Sequence, residues 1–338
     1  MTPTGRLLLD LLSVVGSRPP PIPPSIPEEI NWELFSNRVK SHRLGPLFSR
    51  KLPGTLPIPN RLREKWENEY QRQLARAVLS GDCLREVLNL FARRGIETIV
   101  LKGGQLAETN YPHPALRPAD DIDLLIRPGD ARAAAAELDS AGFRLQEKSA
   151  TANKYLYPDT EVFLEVHSDL QTPVRRNPAF AIRIEDFWRG SIPARIAEAE
   201  TRILSPEINL LYLAAHLSHH SFSRLIWFYD LFLIIEKSGK EIDWEKLSAR
   251  AGEYRCAGQV YYPLLFTGFF FGRTAPPEAL NRLSPHPIKR MITRVFINPA
   301  AILEEKIPLA GRRAQKNRFL LNDSWPLALK NFCQCRVS

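Results

Sequence analysis

Asp121 and Asp123 stand at i and i+2 in the run Asp121-Ile122-Asp123-Leu124-Leu125-Ile126, and Leu101-Lys102-Gly103-Gly104 lies upstream of them. Residues i and i+2 of a strand share a face, so the two carboxylates project together from the start of a short apolar strand. Side by side they repel each other unless a cation lies between them. A glycine turn lets backbone N–H groups reach a phosphate, and Gly103 and Gly104 carry no Cβ to hold one away. Lys102 and Arg117 add positive charge nearby. Together these residues read as a site for a metal ion and a nucleotide. The bland alternative is a pair of solvated turn aspartates with two surface cations.

The order of these motifs resembles the nucleotidyltransferase superfamily, which includes DNA polymerase β and the aminoglycoside nucleotidyltransferases. It is most similar to a bacterial family of uncharacterised nucleotidyltransferases. The residues that carry the resemblance are Val100-Leu101-Lys102-Gly103, Tyr111-Pro112, Arg117, Asp121-Ile122-Asp123-Leu124-Leu125 and Phe163-Leu164-Glu165-Val166-His167, continuing through Leu211 to Asp230. The resemblance implies Mg²⁺-dependent transfer of a nucleoside monophosphate from a nucleoside triphosphate to a hydroxyl, with release of pyrophosphate. ATP is the expected donor, and the acceptor is a small molecule, a peptide or a protein side chain. Two Mg²⁺ ions are implied, held by Asp121, Asp123 and a third carboxylate from a neighbouring strand. Glu165 fits that third place. In Glu161 to His167, Val162, Leu164 and Val166 share one face, while Phe163, Glu165 and His167 share the other. A charged side chain in such a strand is costly to bury without a partner.

Other assignments stay open at this level. Lys102, Gly103, Gly104 and Arg117 are candidate phosphate contacts. The superfamily more often has a serine after its glycine. Gly104 stands in that place here, so a backbone or lysine contact must replace the hydroxyl. His167 either touches the acceptor or a phosphate, or orients Glu165. The family's helix histidine and Trp-x-x-Asp step correspond to His216 and to Trp227 through Asp230. Asp230 then reads either as the general base that takes the acceptor's proton or as a structural partner of His216. The alternative function is a non-catalytic nucleotide-binding or interaction module on the same fold, within a toxin–antitoxin pair or a biosynthetic cluster. Missing carboxylates would favour it, and all three are present.

The elements that must position these residues follow from pattern. Six prolines between Ser17 and Pro27 exclude a regular helix there. This divides the chain into an N-terminal amphipathic helix with its linker (1–27), a helical segment (28–94), an α/β core (95–204), a helical substrate-side domain (205–305) and a basic tail (306–338). Asn31 to Ser49 and Arg61 to Arg94 read as helices, and Glu97 to Leu101 as a buried strand ending at the glycines. Further strands are expected at Phe143 to Glu147, Lys154 to Tyr157 and Glu161 to His167, an alanine-rich helix at Asp130 to Ala141, and helices from Pro206 through Phe271. The predicted fold class is α+β: a nucleotidyltransferase-like mixed sheet from about 95 to 170, with helices before it and a helical bundle after it.

Composition adds limits. The 44% hydrophobic and 25% charged residues of the 338-residue chain are ordinary for a globular protein. The net charge is +9, and the segment from Lys306 onward holds seven Lys/Arg and one acid. The remainder is close to balanced, which argues against long nucleic acid as acceptor. Cys83, Cys256, Cys333 and Cys335 match neither a zinc site nor a secreted disulfide framework and predict reduced thiols and a cytoplasmic setting. No segment approaches the length of an apolar membrane span, so no membrane partner is expected.

Overall fold

The apolar, β-branched runs at 98–101 and 121–126 form the two strands that organise the sheet. In the computed structural model, which describes residues 1–16, 26, 29–170, 183–307, 320–321 and 323, the strands are β1 (Thr98–Leu101), β2 (Asp121–Ile126), β3 (Arg144–Lys148), β4 (Ala152–Leu156), β5 (Phe163–His167), β6 (Ser191–Ile196) and β7 (Ala199–Leu204). The described helices are α1 (Pro3–Val15), α2 (Trp32–Ser41), α3 (Gly45–Lys51), α4 (Asn60–Arg93), α5 (Lys102–Thr109), α6 (Ala131–Ser140), α7 (Ile184–Arg189), α8 (Pro206–His219), α9 (Leu225–Ser238), α10 (Trp244–Glu253), α11 (Ala257–Phe271), α12 (Pro277–Leu283), α13 (Pro287–Phe296) and α14 (Pro299–Leu303). This is the α+β class with a mixed sheet that the sequence predicts. Most of the proline-rich linker and most of the basic tail, with Cys333 and Cys335, lie outside the described residues.

Two compact units divide the chain, with the boundaries inside α4 and α8. The sheet unit holds all seven described strands in the order β3-β4-β5-β2-β1-β7-β6. β1 runs antiparallel to β2, and β2 runs parallel to β5. One face of this sheet is closed by the apolar stripe of α4: Leu84, Val87, Leu88 and Phe91 pack with Val100, Ile122, Leu124, Leu164 and Val166 in one buried cluster. Burying a side chain of this size contributes about 1.5–3 kcal/mol. The alternation in β5 is the predicted one, with Val162, Leu164 and Val166 on the core side.

The sheet extends beyond the predicted limit of 170. β6 and β7 form an edge hairpin, and their Arg, Glu, Thr and Pro content hides it from an apolar-run search. Its turn residues Ala197 and Glu198 both adopt left-handed backbone, φ 46° and 64°, a conformation usually signalled by Asn-Gly. Pro193 is tolerated because β6 is an edge strand.

The helical unit buries Leu7, Leu8, Leu11 and Leu12 of α1 completely. Phe228 of α9 meets Phe270 of α11 with ring centroids 5.0 Å apart. The single helix expected over Asn31 to Ser49 is in fact two. α2 ends at Ser41 with His42 as its cap, Arg43 turns left-handed at φ 59°, and Pro46 lies in the first turn of α3; proline starts a helix well and continues one poorly. Among the described residues no helix is long and apolar enough to cross a membrane.

Candidate active site

β1 delivers the chain to the glycine turn. All four of its residues are buried, and the next residue, Lys102, begins α5 in left-handed backbone at φ 44°. A residue with a Cβ is strained there by roughly 1–3 kcal/mol. The bend turns the lysine ammonium back over the sheet, where Nζ lies 2.7 Å from Asp123 Oδ1. Gly103 is closely packed. A Cβ on it would stand 3.0 Å from Arg117 Nη1 and 3.1 Å from the Ala119 Cβ. Arg117, 8% exposed, donates to the Pro118 carbonyl at 3.3 Å.

Strand register sets the carboxylates. Asp123 is paired with Leu101 of β1 on one side and with Glu165 of β5 on the other, and Glu165 is paired in turn with Lys154 of β4. His167 Nε2 lies 3.0 Å from Asp123 Oδ1 and 3.7 Å from Glu165 Oε2. It hydrogen-bonds Asp123 and stands within ion-pair distance of Glu165. Burial alone would raise the Asp123 carboxyl, but the Lys102 ammonium and the His167 hydrogen bond outweigh it and hold the group well below the usual carboxylate range. Asp121 goes the other way: burial, Asp123 and Glu165 raise it, against opposition from Lys102 and Lys154. Lys154 Nζ stands 3.6 Å from Asp121 Oδ2.

A divalent cation fits this corner by donor chemistry. Asp123, Glu165 and His167 each offer a ligand atom, and those atoms lie within 4.8 Å of one another. Asp121, predicted as a ligand, is one face-sharing position away on β2 and is half-buried. The structure thus gathers Lys102, Asp121, Asp123, Glu165 and His167 on one sheet face, with Gly103, Gly104 and Arg117 at the adjoining turn. Asp230 lies on α9 in the helical unit and is 1% exposed. His216 of that unit packs against His220 and Trp227, with centroids 4.4 and 5.2 Å away.

Two cationic contributors escaped the sequence reading. Lys154 lay in a recognised strand, but only pairing shows that it abuts Asp121. Arg76 of α4 donates to the carbonyls of Ala119, Asp120 and Glu161. It thereby ties the approach to β2 to the approach to β5. Asp120 contributes that carbonyl while its side chain is exposed. Beside these residues an open cleft is lined by Gln73 and Gly81 of α4, Gly104 and Glu108 of α5, Arg117 and Asp121.

Residues 28–272 match the family described as uncharacterised nucleotidyltransferase. The chain belongs to this family. It is accordingly a nucleotidyltransferase, an enzyme of phosphorus-containing group transfer. No curated protein matched the chain. Among solved structures, ANT(2'')-Ia in complex with adenylyl-2''-tobramycin is similar at 16% identity, over 52% of this chain and 96% of that one, with a TM-score of 0.39. The lincosamide antibiotic adenylyltransferase LnuA, lincomycin-bound, gives 14% identity, coverage of 45% and 93%, and a TM-score of 0.34. An antigenic nucleotidyltransferase-like protein from Paracoccidioides brasiliensis gives 15%, 60% and 96%, and 0.38.

Proposed function

We propose that this nucleotidyltransferase moves a nucleoside monophosphate from a nucleoside triphosphate, with ATP the expected donor, onto a hydroxyl of a small molecule, peptide or protein. The observation that carries the reading is the buried Asp123 set beside Glu165 on parallel strands, with Lys102 and the glycine turn adjoining it. Asp121, Asp123 and Glu165 would hold the divalent cation, Mg²⁺ in our assignment, and that ion supplies charge neutralisation at the transferring phosphoryl group.

The chain's own residues do the rest. Backbone N–H groups at the start of α5, around Gly103 and Gly104, receive the triphosphate oxygens. Lys102 and Arg117 add positive charge at the same turn. His167 keeps Glu165 and Asp123 in fixed orientation through its contacts at 3.7 and 3.0 Å. The acceptor hydroxyl oxygen attacks the α-phosphorus, the bond to the β-bridging oxygen breaks, and pyrophosphate leaves with that electron pair. The hydroxyl proton passes to Glu165. Asp230 is assigned no contact in this scheme, and Asp230→Asn tests whether it contributes as a base or as a structural residue.

Calorimetric titration of each nucleoside triphosphate with Mg²⁺ tests the proposal, on the wild type and on Asp121→Asn/Asp123→Asn. Metal-dependent binding of one triphosphate, lost in the double variant, is expected. Binding by no triphosphate, or equal binding by the variant, would overturn the site.

A further inference from the structure

α13 is turned inside out. Its polar residues Lys289 and Thr293 are buried, 8% and 0% exposed, while Ile288, Met291, Val295 and Phe296 are 58%, 66%, 70% and 54% exposed. A helix on a soluble domain ordinarily does the opposite. The spacing 288, 291, 295 is three and then four residues, so these side chains form one stripe along the outer face. Four large apolar residues concentrated on one ten-residue helix are not the scattered exposure expected of any surface.

The segment that carries the stripe holds cations and no acid, although Arg282 pairs with Glu245 at 3.0 Å and Asp323 acts on the buried Lys289. Between Glu278 and Glu304 there is no acidic residue, and there are four Lys/Arg: Arg282, Lys289, Arg290 and Arg294. Arg294 is exposed beside the stripe, and Arg290 is half-buried with Nη1 on Ser284 Oγ at 2.8 Å. A second copy of this chain docking through the same face would bring these arginines against their own kind. An anionic surface is their complement. An apolar stripe flanked by arginines is the mark of a helix that lies in a bilayer interface without spanning it.

We propose that α13 seats the protein reversibly on an anionic phospholipid surface. Ile288, Met291, Val295 and Phe296 enter the boundary between headgroups and acyl chains, and Arg290 and Arg294 face the lipid phosphates. This is surface contact, different in kind from the membrane span that the chain lacks among its described helices, and it stands independently of the proposed transfer reaction.

Co-sedimentation of the full chain with lipid vesicles tests it. Vesicles of pure phosphatidylcholine are compared with an equimolar mixture of phosphatidylcholine and phosphatidylserine. The wild type is expected to pellet with the anionic vesicles and to be released by salt. Met291→Glu/Val295→Glu changes exposed positions only. It should lose at least about tenfold in partitioning while keeping the wild-type circular dichroism spectrum. Arg294→Gln should lose about fivefold, the worth of one cation at such a surface. Absence of binding to anionic vesicles overturns the proposal, as does binding that the double glutamate variant leaves unchanged. A wild-type dimer that this variant dissociates assigns the face to a second copy and also overturns it.

Discussion

Asp123 and His42 are both almost sealed from water, at 3% and 1% exposure, yet one is held charged and the other neutral. In the sheet unit, Asp123 receives Lys102 and His167 on one oxygen, so the cost of burial is offset by paired charge. In the helical unit, burial depresses the His42 imidazole from 6.5 to about 4, the nearby Arg38 charge adds to this, and a backbone contact at Ser223 opposes it without prevailing. Partnered charge can be redirected toward a ligand. An imidazole kept neutral serves packing. The contrast separates a site that is built to exchange its counter-ions from an interior that is built to exclude them.

The comparison breaks most severely at Asp123. Asp123→Asn should lower nucleotidyl transfer on the order of a thousandfold, the scale of losing a main electrostatic contact to the transition state. Far-ultraviolet circular dichroism should be unchanged, and the label moved from an α-³²P triphosphate is the measurement. Transfer within a few-fold of wild type would remove Asp123 from the chemistry.

Lys102→Met sharpens the same side. Lys102 competes with any cation for Asp123 Oδ1, so Mn²⁺ titrated into donor-free variant should bind more tightly than into wild type. Donor affinity should fall about tenfold or more, the worth of one charge-assisted hydrogen bond. Weaker Mn²⁺ binding in the variant would mean that Lys102 supports the cation site instead of competing for it.

On the helical side, the His42 sign is fixed by its depressed value. Stability is fully present above pH 6.5 and is lost as pH falls from 6.5 toward 4. The unfolded chain takes up the proton first, and the loss reaches about 2 kcal/mol by pH 5. Urea midpoints at pH 7 and pH 5 would show it, and His42→Gln should flatten the difference. The smallest effect belongs to Gly81. A Cβ there meets nothing within 4 Å, so Gly81→Ala in mid-helix should stabilise by about 0.5–1 kcal/mol. A lower melting temperature would show that the site needs the glycine's backbone freedom.

Much of the sheet unit was legible because its signals are local. The i, i+2 aspartates, the alternation in 161–167 and the apolar stripe of 84–91 each encode a face, and the structure keeps those faces. What escaped depends on partners far away in sequence. Arg76 acts on backbone carbonyls, which leave no mark in side-chain identity. The contact of Lys102 with Asp123 joins residues 21 positions apart and leaves no mark in the local motif. The helices α12 to α14 are short, each opened by proline, and proline in sequence reads first as an interruption. Nothing in the spacing of α13 says which of its faces looks outward.

The register of β2 against β5 has a consequence for how this enzyme can change over time. Because Asp123 stands opposite Glu165 by strand pairing, the distance between them is a matter of residue count. Gain or loss of one codon within 121–126 or 163–167 would rotate every later side chain to the other face. A carboxylate would then point at Leu84 and Val87, and an isoleucine or leucine would take its place. Length change is therefore expected to be tolerated only in the connections between strands, such as 158–160, while the two strands themselves can accept replacement but not insertion.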